Sequence, residues 1–257
     1  MVDGKGEISP QLTERLLHAR KVLVLTGAGV SAESGVPTFR GGGLTAAWKG
    51  MPFDEISSAR MAREDLPEVW AWFAYRRQII AHCRPNPAHF TLAEWAGIFP
   101  EFTLVTQNID GLQQRAGSKR VLELHGNIHR ARCEQCSESI TLKELNGAAE
   151  GQEKAEFCAF CSGRLRPDGV LFGETLPVGV FEKAAIAAQN CDLCFVIGTS
   201  ALVYPAASLP EIAAQAGAYL IEINPETTHL TPFCDEVIRG AAGEILPKIL
   251  SSPSPYL

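Results

Sequence analysis

The stretch VLVLTGAGVSAESGVPTFRG, residues 22–41, carries the clearest signature of the fold. Val22 to Leu25 form an uninterrupted apolar run, the pattern of a strand buried on both faces of a parallel sheet. Small residues come next at Gly27, Gly29 and Ala32, where a backbone turn can approach a pyrophosphate closely. A helix starting near Ser31 would point its free N–H groups at the phosphates. A plain tight turn uses the same residues, so the segment gains meaning only from its continuation beyond Ala32.

An ordinary dinucleotide unit continues through a helix to a second strand with an acidic residue roughly 20 positions on. Here the chain runs into Gly35, Val36, Pro37, Thr38, Phe39, Arg40 and the triplet Gly41, Gly42, Gly43. Proline should end the helix and the glycines make a mobile loop beside the cofactor. Phe39 and Arg40 have the reach to touch it. Hydride transfer does not require that arrangement.

On the N-terminal side, Ser9-Pro10 followed by Leu12, Leu16 and Leu17 predicts a capped first helix. Further strands are expected at Phe102 to Val105, Val121 to Leu124, Leu193 to Ile197 and Tyr219 to Ile223, with a helical pattern over Val180 to Ala188. This alternation predicts an α/β fold, a Rossmann-like parallel sheet with helices on both faces. Gly27, Gln107, His125, Gly198 and Asn224 all fall just after strands, where such sheets bind ligands.

Eight cysteines are placed unevenly in a long chain without an export signal. Cys133-Glu-Gln-Cys136 and Cys158-Ala-Phe-Cys161, about twenty residues apart, have the spacing of a closed four-thiolate zinc site. All four positions are taken by sulfur, so the ion would be structural. Cys191 and Cys194 overlap a strand pattern, and their thiols should point to different places and pack as small apolar groups. Cys83 and Cys234 are isolated.

The segments Thr106-Gln107-Asn108-Ile109-Asp110-Gly111-Leu112 and Leu122-Glu123-Leu124-His125-Gly126, with the first stretch, the four-cysteine module, Gly198-Thr199-Ser200 and Asn224-Pro225-Glu226, together resemble the sirtuins. The resemblance covers nearly the whole chain from about residue 10. It implies removal of acyl groups from protein lysine with NAD consumed as a co-substrate. The expected division is an NAD-binding Rossmann-like domain of residues 1–41, 101–130 and 167–257, a cofactor loop and helical insertion of 42–100, and a zinc-binding module of 131–166. The insertion and module would form a smaller lobe, with the active site in the cleft between lobes.

The resemblance also implies roles. His125 matches the general base, and imidazole can accept a proton near neutral pH. The acyl oxygen would attack the ribose carbon bearing nicotinamide, and His125 would help activate a ribose hydroxyl, leaving free lysine, nicotinamide and O-acyl-ADP-ribose. His129, one helical turn further on, is the competing histidine. Asn108 and Asp110 would order the nicotinamide ribose, a water and the carboxamide; a strand-end turn with an Asx hydrogen bond also explains them. Cofactor contacts are expected from Gly27, Ala28, Gly29, Ser31, Ala32, Pro37, Phe39, Arg40, Gln107, Asn108, Ile109 and Asp110, and from Gly198, Thr199, Ser200, Asn224, Glu226 and Ala242. Asn224 and Glu226 would hold the adenosine ribose.

Gly169 to Glu174 has extended, apolar character, and the matching segment in sirtuins pairs with the substrate peptide as an added strand; Val170, Leu171 and Phe172 would supply it. Otherwise it is an ordinary strand of the large domain. Val69 to Arg77 looks like the helix that, in sirtuins preferring succinyl or malonyl lysine, places a tyrosine and an arginine three positions apart on one face. Arg76 fits, but Phe73 stands at the tyrosine position and lacks the hydroxyl. A deacetylase with some activity on acidic acyl groups is expected. Arg76 and Arg77 could instead form a solvated helix face.

With 257 residues, a net charge of −6, no basic run and no apolar span of about 18 residues, the chain reads as a soluble cytoplasmic protein. Its partners would be acyl-lysine peptides or proteins, without nucleic acid or membrane, and a monomer is the default. Two other readings stay open: an NAD-dependent protein ADP-ribosyltransferase, and a non-catalytic NAD-sensing or zinc-dependent module. Loss of His125, Asn108 or Asp110 would mark the latter, and all three are present.

Overall fold

The structure, a computed structural model, describes residues 7–38, 47–146 and 157–250. In chain order it begins with α1 (Pro10–His18), where Ser9 Oγ accepts the Leu12 amide at 3.0 Å, and β1 (Lys21–Thr26). A single turn, α2 (Gly29–Ala32), comes next. The first excursion comprises the hairpin β2 (Ala47–Trp48) and β3 (Met51–Pro52), then α3 (Phe53–Ile56), α4 (Ala59–Glu64) and α5 (Leu66–Ala81). α6 (Pro87–Ile98) leads to β4 (Glu101–Thr106), α7 (Leu112–Arg115) and β5 (Val121–Glu123). The second excursion holds β6 (Gly126–Cys133), β7 (Ser139–Thr141), α8 (Leu142–Asn146) and β8 (Leu165–Gly169). The chain returns through α9 (Val178–Asn190), β9 (Leu193–Ile197), α10 (Ser208–Gln215), β10 (Tyr219–Ile223), β11 (Glu236–Ile238) and α11 (Ala242–Ile249).

Six strands form one parallel sheet in the order β11-β10-β9-β1-β4-β5. Alternation along β1 explains its two covered faces. Val22 and Val24 join a core with α1, α6 and α11, while Leu23 and Leu25 join another with α9 and α10. From β1 the chain adds strands on one side, then returns to add β9, β10 and β11 on the other. The order therefore reverses between β1 and β9, which opens a ligand crevice at their carboxyl ends. β11 has no counterpart among the expected strands; it is short and only Ile238 is fully buried in it.

The smaller lobe has its own core, in which Ile56, Val69, Trp72, Phe73 and Ile80 pack with Ile128 and Leu171. An antiparallel sheet, β7-β6-β8, carries the cysteine module. α6 buries Ala88, Leu92 and Trp95 in the core of the large sheet. β6 draws residues 126–130 into the smaller sheet.

Three local expectations need correction. α2 begins at Gly29, not near Ser31, and lasts one turn because Gly35, at φ +84°, reverses the chain two residues before Pro37. Cys191 and Cys194 do not diverge. Cys191 lies in the turn before β9, outside strand alternation, and both residues are buried in the one core against α9 and α10, where the Cys191 thiol donates to the Ala188 carbonyl at 3.4 Å. His129 is on β6, not one helical turn beyond His125.

Candidate active site

Two loops meet at the switch point. The amides of Gly27 and Gly29 donate to the Ile197 and Gly198 carbonyls at 3.0 and 2.7 Å. A Cβ on Gly27 would lie 2.6 Å from the Thr199 Cβ, and one on Gly29 2.7 Å from the Gly198 Cα. These glycines are thus required by loop-to-loop contact, and their N–H groups are already engaged. The Val30 and Ser31 amides turn back to Gly27 and Ala28, so α2 does not offer its N–H groups as the sequence suggested. Among the described residues no acceptor meets the amides of Ala28, Thr199 or Ser200. Those three lie on the facing loops and suit an anionic diphosphate.

Beneath them Ser31, fully buried, joins three elements. Its hydroxyl donates to Asp110 Oδ2 at 2.8 Å, accepts from Asn108 Nδ2 at 3.1 Å, and meets His89 Nε2 at 3.3 Å. The His89 tautomer follows from its other side, because Nδ1 accepts the Asn86 amide at 3.2 Å. Nε2 therefore carries the proton and donates to Ser31. Burial lowers the His89 pKa, opposed by Asp110, and keeps the ring neutral. Asn108 spends its amide hydrogens on Ser31 and on the Gly27 carbonyl at 3.0 Å. Its Oδ1 is then left to accept from a hydroxyl or water. Asp110 does form an Asx turn, through Oδ1 to the Leu112 amide at 2.8 Å, while its second oxygen serves Ser31.

His125 follows β5, with Nδ1 2.8 Å from the Gln107 carbonyl. A carbonyl only accepts, so Nδ1 carries the hydrogen and Nε2 presents a lone pair. Burial pushes the imidazole below its ordinary 6.5, against the upward pull of that carbonyl. The ring is a neutral base at pH 7. Gly126 turns the chain at φ +81°, so close to β8 that a Cβ would meet the Asp168 carbonyl oxygen at 2.3 Å. His129 instead donates from Nε2 to the Asp110 carbonyl at 3.3 Å and braces that turn.

Gln107 Nε2 reaches Thr199 Oγ1 at 3.0 Å, and Asn224 Nδ2 the Thr199 carbonyl at 2.9 Å. Glu226 is exposed, with its amide on Asn224 Oδ1 at 3.2 Å. Ala242 opens α11, where Glu33 Oε2 accepts the Gly243 amide at 2.7 Å. Pro37 and Ile109 are half-buried and Ala32 exposed. Phe39 and Arg40 lie outside the described residues.

On the smaller lobe, Phe73 is buried against Gly169, where a Cβ would come within 2.9 Å of the ring. Arg76 is 6% exposed, with its guanidinium 5.6 Å from the Trp72 ring, so it is no solvated helix face. Burial lowers its pKa, partly offset by Asp110. Arg77 is half-buried, donates to the Ile128 carbonyl at 3.3 Å and is lowered to about 10 by burial. The Val170 amide donates to the His125 carbonyl at 3.0 Å. Leu171 is buried, and Phe172 pairs through its amide and carbonyl with Ser57 and Ala59. Residues 170–174 are therefore not a regular strand of either sheet; Gly173, at φ +86°, turns the segment, with Glu174 bonded back to Leu171.

The four sulfurs of Cys133, Cys136, Cys158 and Cys161 lie within 4.8 Å of one another. Cys133 to Cys161 and Cys136 to Cys158 span 3.4 and 3.8 Å, against about 3.8 Å between ligands of a tetrahedral zinc with Zn–S near 2.3 Å. Backbone amides of Gln135, Cys136, Phe160 and Gly163 point at these sulfurs and suit thiolates. The amide of Cys136, first among them, helps lower the Cys133 thiol to about 7. The donor set fits a closed structural zinc site.

Sequence reasoning missed His89, Asn86 and Thr106, whose Oγ1 accepts the Asn108 amide at 3.0 Å. Asn86-Pro87 with His89 three residues later was the available signal, a capping box in which His89 binds the Asn86 amide.

A model of the Sir2 family matches residues 27–205. A protein of Thermus thermophilus named NAD-dependent protein deacylase is 46% identical over 247 residues, covering 94% of this chain and 93% of its own. NAD-dependent protein deacylase 2 of Pyrobaculum aerophilum is 43% identical over 240 residues, 93% of each chain. The solved complex of a Sir2 homologue with NAD superimposes with a TM-score of 0.86 at 38% identity, covering 97% of this chain and 94% of that one. A Sir2 complex with a p53 peptide and NAD gives 0.80 at 29%, covering 95% and 98%.

Proposed function

Because the chain belongs to the Sir2 family, we propose that it is an NAD-dependent protein deacylase, releasing acyl groups from lysine with formation of nicotinamide and O-acyl-ADP-ribose. The observation that carries this reading is His125, neutral and presenting Nε2, beside the crevice formed by the Gly27 and Gly198 loops. NAD, when bound, supplies an electrophilic ribose carbon and nicotinamide as leaving group. The amides of Ala28, Thr199 and Ser200 would hold its diphosphate. Asn108 Oδ1 would orient a ribose hydroxyl or a water, with Ser31, Asp110 and His89 fixing the asparagine. His125 would accept the hydroxyl proton at Nε2. Asn224 and Glu226 would hold the adenosine ribose, and residues 170–172 the acyl-lysine peptide. The zinc module would secure β6 and β8, whose ends reach His125 and Val170.

Acetyl-lysine is the substrate these residues favour, with succinyl and malonyl groups as poorer ones. Phe73 cannot hydrogen-bond a carboxylate, and Asp110 already answers part of the Arg76 charge. The net charge of −6 supports protein rather than nucleic acid as partner, and we read the chain as a cytoplasmic monomer. No helix of the described residues is long and apolar enough to cross a membrane.

Acetyl-lysine peptide incubated with the protein should lose its acyl group only when NAD is present, and not with His125→Ala. Acyl loss without NAD, or undiminished in the variant, would reject the assignment.

A further inference from the structure

One wall of the crevice is held by two residues that take no part in binding or chemistry as assigned to the site. Glu222, on β10, is 1% exposed. Its Oε2 accepts the Thr231 hydroxyl at 2.5 Å and Arg239 Nη1 at 3.1 Å, and its Oε1 accepts the Thr228 hydroxyl. Arg239 follows β11, and its fork spreads across the loop that leaves β10. Nη1 donates also to the carbonyls of Asn224 at 3.3 Å and Glu226 at 2.7 Å. Nη2 donates to Thr231 Oγ1 at 3.3 Å and Thr227 Oγ1 at 3.4 Å.

A buried carboxylate needs such partners, but a single lysine or two hydroxyls could satisfy it. What the guanidinium adds is a planar set of donors that fixes two loop carbonyls relative to the sheet. We propose that Arg239, anchored by Glu222, is a positioning residue for the adenosine half of the co-substrate, holding residues 224–231 in the shape that presents Asn224 and Glu226. The inference rests on the proposed assignment of those two residues to the adenosine ribose. A loop ordered in advance loses less freedom on binding, so the effect belongs to affinity rather than to the chemical step.

The test measures ADP-ribose binding by calorimetry and NAD and peptide kinetics in the wild type, Arg239→Met and Arg239→Lys. Arg239→Met should raise both the ADP-ribose Kd and the NAD KM about tenfold, as expected for lost hydrogen bonds to a charged group. The kcat at saturating NAD and the peptide KM should stay within about twofold, with lysine intermediate. Added to Asn224→Ala, Arg239→Met should weaken binding less than it does alone, because both act through one loop. An unchanged Kd and KM with only a lower melting temperature would reduce the pair to a structural contact and overturn the proposal. So would a kcat that falls in step with affinity. If Arg239→Met does not fold, Thr231→Val, which removes the hydroxyl shared by Glu222 and Arg239, should raise the ADP-ribose Kd about threefold, and an unchanged Kd overturns the idea. A wild type that binds ADP-ribose but deacylates nothing would defeat the functional reading while leaving the calorimetric comparison decisive here.

Discussion

His125 combines two features a base needs, a fixed tautomer and a depressed pKa. Its Nδ1 hydrogen is held by the Gln107 carbonyl, and burial disfavours the imidazolium. The acidic limb of kcat/KM should therefore fall below the ordinary histidine value of 6.5, a consequence a pH–rate profile checks. A limb at or above 6.5 would assign it to another group. Arg76 is the other residue whose charge has a stated consequence. Arg76→Met should lower kcat/KM for a succinyl peptide about tenfold more than for an acetyl peptide, the value of a charge-assisted hydrogen bond. Equal losses on both would make the arginine only a support for Asp110 and Trp72. Among single residues, His125, Asn108 and Asp110 stand out in the sequence because each follows a strand in a distinctive string, and their proposed roles begin from that reading. The sequence concealed His89, which arrives from α6 and shows its purpose only once Ser31 lies beneath it.

Gly126 is where two elements of different sheets meet. It ends the His125 turn and begins β6, with the Asp168 carbonyl occupying the space of a side chain. Gly126→Ala must move β8 or the turn, so it should cost about 3 kcal/mol in denaturant unfolding and displace His125 enough to reduce kcat. A variant with wild-type stability and rate would show that the contact yields freely. The strands of the large sheet were legible because Val22 to Leu25, Leu193 to Ile197 and Tyr219 to Ile223 are buried throughout and almost wholly apolar, as coverage of both faces demands. β11 was not, since three residues with one fully buried carry no periodic signal. The segment after β8 belongs to no regular strand for a related reason. Apolar residues 170–172 suggested a strand, but Leu171 enters the small-lobe core and Phe172 is tied to Ser57 and Ala59.

The whole molecule depends on joining a large apolar core to a lobe whose cysteine module has little core of its own. Among the described residues, that module's own core cluster is Cys133, Cys158 and Leu165. Zinc binding of this kind contributes on the order of 10 kcal/mol to folding, so prolonged chelation should lower the melting temperature and abolish activity together. Retention of both would separate the metal from the fold. The lobes touch where Val170 meets His125, so disorder in β6 and β8 would reach His125. Cysteine spacing made the module readable in advance, whereas the packing of α6 was not, because it is contiguous with the insertion in sequence yet packs its apolar face on the main sheet.

A mass balance on an acetyl-lysine peptide with NAD tests deacylation itself. One nicotinamide and one O-acetyl-ADP-ribose should form for each lysine freed, with none in His125→Ala. Nicotinamide released without loss of the acyl group, with ADP-ribose retained on protein, would contradict it.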